Sequence, residues 1–121
     1  MTERIYSAGQ LTQKVQFEVR SSVEDALGEV SGEWVNDGLP VWARVKPLRG
    51  GERIQAGALQ QPVDTLVVVR FSSSRTDLDI MARNLRIRWK GRVLGITAAV
   101  LAEGGREWIE IQCSTGAADV R

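Results

Sequence analysis

The side chains best suited to chemistry lie in a short basic run: Arg83, Arg86, Arg88, Lys90 and Arg92. With a period of two, Arg86, Arg88 and Lys90 fall in a row on one strand face. Such a stripe could track a phosphate backbone or meet an acidic protein surface. The solvated face of an antiparallel strand has the same pattern, and no paired aromatic stacking platforms share that face with the cations.

Residues for catalysis are scarce. The chain has no histidine, which removes the usual general base and the commonest metal ligand near neutral pH. Its one cysteine, Cys113, alternates in phase with core residues and reads as a buried structural thiol. Asp77 and Asp79 could pair as carboxylates, but two acids beside Thr76 fit the first turn of a short helix better. Gly50-Gly51 and Gly104-Gly105 lack the strand-glycine-helix context of a phosphate loop and read as turns. Neither an enzyme nor a cofactor or metal site is expected. Among the four tryptophans, Trp89 falls on a core face. Trp42 and Trp108 are out of phase with the core residues of their strands, which makes them candidate interface anchors or packing under a loop. Trp34 precedes a turn at Asn36-Asp37-Gly38.

The elements that must position these residues are strands. Apolar side chains alternate at Val15, Phe17 and Val19, and again at Val41, Ala43 and Val45. A third set, Thr65, Val67, Val69 and Phe71, also has Leu66 and Val68 on its other face, which predicts a central strand covered on both sides. Leu85, Ile87 and Trp89 lead through a Lys90-Gly91 hairpin to Leu94, Ile96 and Ala98, and Glu103-Gly104-Gly105 turns the chain toward Ile109, Ile111 and Cys113. Six strands of this kind predict an all-β fold, a small antiparallel barrel or sandwich whose closure removes exposed edges. Helix is expected only over Thr76–Arg83 and part of Glu52–Gln61.

A length of 121 residues gives one domain, 1–121, with 1–8 and 114–121 as flexible tails. Apolar runs such as Leu66–Val69 and Ile96–Leu101 fall well short of the roughly 20 residues of a membrane helix. The first residues lack a secretory core, and a lone cysteine suits a reducing compartment, so cytoplasmic synthesis without membrane contact is expected. A net charge of +1 means that any basic surface is local.

In order, GQLTQKVQFE, Asp25 and Gly28 of EDALGE, Trp34, VWARVKPLRGGER, VDTLVVVRF, LRIRWKGRVLGI and EWIEIQCS form a series that resembles the head-tail joining family of tailed bacteriophages, also called head-closure or head-tail adaptor proteins. The likeness covers about Gly9 to Ser114, and it departs at Phe71–Leu85, a longer connection than the pattern calls for. It implies a β-barrel that assembles as a ring in the virion neck and is monomeric when alone. Its implied partners are further copies of itself, a portal or adaptor protein, and a tail-completion or tail-terminator protein, with non-specific contact to packaged DNA. Pro47 ends the second strand and Gly50-Gly51 permits a sharp exit. Arg49, Gly50, Gly51, Glu52, Arg53, Ile54 and Gln55 thus open a projecting loop, to Pro62, that lines the channel or meets a partner. The competing class is a single-stranded nucleic-acid-binding barrel of the OB type, which the basic stripe and strand count would suit.

Overall fold

Strand alternation brings one set of side chains together, and the sheet curls until that set is enclosed. A computed structural model describes residues 6–21, 32–48, 54–55 and 62–115. Its strands are β1 (Gln13–Arg20), β2 (Trp34–Asn36), β3 (Val41–Pro47), β4 (Ile54–Gln55), β5 (Pro62–Val63), β6 (Thr65–Arg70), β7 (Arg86–Trp89), β8 (Arg92–Leu101) and β9 (Trp108–Ser114), with one α-helix, α1 (Asp77–Ala82). Strands β1, β3, β6, β9, β8 and β7 pair antiparallel in that order, and β7 returns to β1 through Phe17↔Ile87. The result is a closed six-strand barrel, built from the six strands that the alternation predicts. Strand β2 is additional and pairs with the C-terminal half of β1.

The enclosed set includes Val15, Phe17, Val67, Ile87, Leu94 and Ile111, all essentially without exposure. Burying side chains of this kind contributes roughly 1.5–3 kcal/mol each. Strand β6 is covered on both faces, as its double apolar pattern predicts. Val67 and Val69 point into the barrel, while Val68 lies under Tyr6, Ala102 and Trp108 in a second cluster on the outside. The chain is therefore engaged further out than the tails expected from sequence. Tyr6 is buried and donates its hydroxyl to Glu110 at 2.7 Å, Ser114 is buried at the end of β9, and the Thr115 amide and hydroxyl donate to the Asp64 carboxylate.

Two expectations are corrected. Ala98 does not share the core face with Leu94 and Ile96, because a bulge between Ile96 and Ala98 shifts the phase and turns Ala99 inward. Ile54 and Gln55 are not helical; they pair with Val63 and Pro62, so the arms of the 49–62 segment meet in a short ladder. Arg49–Arg53 and residues 56–61 lie outside the described residues.

The long 71–85 connection is a plug on the barrel. Thr76 caps α1 by accepting from the Asp79 amide at 2.9 Å, with Asp77 and Asp79 in the first turn, as predicted. Ile80 is the buried residue of this helix and joins the barrel core.

The β7–β8 hairpin turns through Lys90 at φ 50° and Gly91 at φ 76°, the two positive values of a type I′ turn. Glycine takes this conformation freely, whereas lysine is strained by its Cβ. Lys90→Asn should therefore stabilise the protein by about 0.5–1 kcal/mol, because asparagine tolerates the left-handed region. Chemical denaturation would measure it, and a loss of stability would show that the Lys90 ammonium gains more over the Trp89 ring at 5.3 Å than the turn loses to strain.

Candidate functional site

A cleft opens where two barrel strands part. The β3–β6 ladder ends at Ala43↔Val69, one residue short of Trp42 and Arg70. Beyond it β3 leads back into the turn 37–40, while β6 leads into the 71–85 connection. The fork holds a cavity of about 1190 Å³, whose walls include Leu11, Leu39, Val41 and Trp42 on one side and Arg70 and Arg75 on the other.

The turn gives this rim its shape. From Glu18↔Asn36 to Val15↔Val41, β1 steps back three residues while the opposing chain advances five. Two residues more than the ladder needs are accommodated around Gly38 (φ 76°), and Leu39 is left 83% exposed beside Trp42 at 55%. A leucine and a tryptophan are thus bared together on the barrel wall.

Each of the two outward tryptophans carries a cation. Lys14 on β1 lies opposite Trp42 in the ladder, with its ammonium 4.9 Å from the ring centroid. Arg70 on β6 lies opposite Trp108 on β9, with its guanidinium 4.8 Å from that ring. The outer face thus carries cation, aromatic, cation, aromatic across β1, β3, β6 and β9. Among the described residues neither Lys14 nor Arg70 meets a carboxylate.

One end of the cleft is pinned by ion pairs. Asp37 accepts from Arg75 Nη1 at 2.7 Å and from Arg83, and the Asp37 carbonyl accepts from Arg75 Nη2 at 3.0 Å. Asp79 balances the second guanidinium charge from 3.6 and 3.7 Å without a hydrogen bond. The Arg75 guanidinium stacks 4.2 Å from the centroid of Phe17. Burial pushes the Asp37 carboxyl up, but the hydrogen bonds and charges of Arg75 and Arg83 outweigh it and hold it below the usual carboxylate range.

The sequence-predicted residues separate in space. Arg86 and Arg88 donate to buried Glu18 at 2.7 and 3.0 Å, so two cations of the basic stripe are committed to an internal carboxylate. Arg86 also covers one side of Trp34, with Arg20 on the same ring. Lys90 stands apart in the hairpin turn. Trp108, 6% exposed, packs edge-on to Tyr6 under the N-terminal segment, which leaves Trp42 as the exposed member of the outward pair. Ile54 and Gln55 mark the base of the 49–62 segment. Leu39, Asp37 and Arg75 are site residues that the sequence did not single out; an apolar residue between Gly38 and Pro40 in a polar turn was the available signal for the first.

Among the described residues no group of three or more Cys, Asp and Glu side chains could hold a metal ion. Cys113 is fully buried, and burial with the nearby Asp64 charge pushes its thiol far up, which keeps it protonated and unreactive.

The family described as phage head completion protein matches residues 6–116. Head completion protein gp7 of Enterobacteria phage HK97 is 31% identical over 111 residues, spanning 90% of this chain and 96% of that one. The solution structure of a protein from Shigella flexneri 2a superposes with a TM-score of 0.68 at 24% identity, covering 93% of this chain and 98% of that chain. A chain in the virion of a native gene transfer agent particle superposes with a TM-score of 0.59 at 19% identity, covering 89% of this chain and 96% of that chain. These two likenesses concern the fold.

Proposed function

Since the chain belongs to the phage head completion protein family, we propose that it acts as the connector that closes the DNA-filled head, assembling as a ring beneath the portal or its adaptor and offering the surface on which the tail docks. The observation that carries this reading is the exposed Leu39–Trp42 pair on a closed, rigid barrel, an arrangement built for protein contact. A ring repeats one heterologous contact around its axis, and in this reading the cleft serves the portal side or the tail side rather than that contact. The 49–62 segment, opening with Arg49, Gly50, Gly51, Glu52 and Arg53, is assigned in this reading to the channel or the adjoining ring. There it can touch packaged DNA without sequence preference.

The test is a reconstitution. Purified protein is added to DNA-filled heads from a phage defective in the corresponding gene, and sedimentation with heads, DNA retention and tail attachment are scored. Binding with retained DNA and restored tail joining is expected. Absence of binding under conditions where an extract containing the native protein rescues the heads would overturn the reading.

A further inference from the structure

We propose that the fork between β3 and β6 is the receptor for an extended, acidic peptide segment that carries one large apolar side chain. The argument starts from what the two strands leave free. Their ladder stops at Ala43↔Val69 although both chains continue, so a cavity of about 1190 Å³ replaces the pairing that a closed barrel would otherwise extend. The cleft is walled on two sides by the extended backbone of β3 and β6, which suits an extended segment.

Its walls set the side-chain chemistry. Leu39, Val41 and Trp42 offer apolar surface to a side chain of their own kind. The charge at this end of the cleft is one-sided: Lys14 stands over Trp42, Arg70 lines the cleft with its guanidinium over Trp108, and neither meets a carboxylate among the described residues. Arg75 and Arg83, by contrast, are already neutralised by Asp37 and Asp79. Positive charge that no carboxylate among the described residues meets therefore sits beside the apolar anchor site, and a segment placing carboxylates next to its apolar residue complements both.

Single-stranded nucleic acid would answer the charge but not the walls. Successive bases need successive exposed ring faces, and of the outward tryptophans on this row only Trp42 is exposed, while Trp108 is buried. Leu39, the most exposed apolar residue of the rim, has no place in a base-stacking site.

The source of the segment, a neighbouring virion protein, rests on the proposed function; its chemistry rests on the cleft alone. The test accordingly uses the isolated full-length protein. A fluorescein-labelled peptide of about ten residues, with one central phenylalanine between aspartates, is titrated by fluorescence anisotropy beside a counterpart with lysines in place of the aspartates and an oligothymidylate of similar length. The acidic peptide should bind about tenfold more tightly than either competitor. Trp42→Ala should lower its affinity about tenfold, and Arg70→Gln severalfold with a flatter salt dependence. Both side chains are exposed, and unchanged melting temperatures would confirm that both variants fold. Equal binding of the two peptides, tighter binding of the oligonucleotide, no binding of the acidic peptide, or a dimer of this protein abolished by Trp42→Ala would each overturn the proposal. Failure of the head reconstitution with peptide binding intact would instead overturn the functional reading and leave the cleft chemistry standing.

Discussion

Asp37→Ala should cost the fold about 3–5 kcal/mol, a loss usually reserved for large core truncations. The carboxylate is 13% exposed and receives hydrogen bonds from Arg75 and Arg83. Removing it takes the hydrogen-bonded carboxylate from the Arg75 guanidinium, 12% exposed and stacked on Phe17, and leaves it the backbone carbonyl of residue 37 and the more distant Asp79 at 3.7 Å. Two guanidinium groups then share the one carboxylate of Asp79, and the penalty of a partly buried, under-compensated charge exceeds the net worth of the pair. Arg83 adds little to the sum, because its side chain is 42% exposed and water can take over. Urea denaturation of the two proteins measures the difference. A loss below about 1 kcal/mol would mean that water from the cleft solvates Arg75 as well as Asp37 does.

The same network fixes the response to acid. Glu18, like Asp37, is pushed up by burial and pulled down further by its partners, here the hydrogen bonds and charges of Arg86 and Arg88. A carboxyl held below its unfolded value contributes stability that is complete above the unfolded pKa of about 4 and is lost as pH falls through the folded value. The absence of histidine removes the side chain that ordinarily titrates between about pH 5 and 8. Stability should therefore be level across that interval and fall below about pH 4. Asp37→Asn should flatten the acid limb, since unfolding then takes up one fewer proton. An unchanged limb in that variant would assign the acid sensitivity elsewhere.

Residue phase explains both what could be read from the sequence and what could not. The six barrel strands were legible because each alternates for several residues and ends near a turn residue; Val15, Phe17, Ile109 and Ile111 all face where alternation puts them. Strand β2 was hidden, since it is three residues long and exposes Val35 and Asn36, so no buried stripe marks it. A one-residue bulge moved Ala99 inward in place of Ala98, and local pattern cannot reveal a bulge that depends on the neighbouring strand. Trp42 and Trp108 gave the same local signal, both pointing out of the barrel. Their fates differ because Tyr6 returns over β9, a contact spanning most of the chain, while nothing among the described residues covers Trp42 to that extent. The pairs that build the cleft are likewise remote in sequence: Asp37 with Arg75 and Arg83, Lys14 with Trp42, and Ala43 with Val69. Composition could supply these residues, but only the closed barrel brings them together.

Ile80→Ala should destabilise the protein by about 2–5 kcal/mol and should weaken the cleft although Ile80 is absent from its lining. Ile80 is the buried residue of α1, and its side chain reaches the barrel core. Truncation leaves a cavity that a six-residue helix, capped only by Thr76, has little packing of its own to offset. Ser72, Ser74, Arg75 and Arg83, all from the connection that α1 anchors, form one wall of the cleft. Loosening the anchor should thus disorder that wall before the barrel opens. Amide exchange over residues 76–83 should accelerate more than exchange in β6 and β9, and the acidic peptide should bind more weakly at temperatures where the barrel remains folded. Asp37→Ala and Ile80→Ala release the same segment from two ends, so their combined cost should be smaller than the sum of the separate costs. Strict additivity would show that the ion pairs and the buried isoleucine hold independent parts of the structure, and the plug would then have to be described as two elements rather than one.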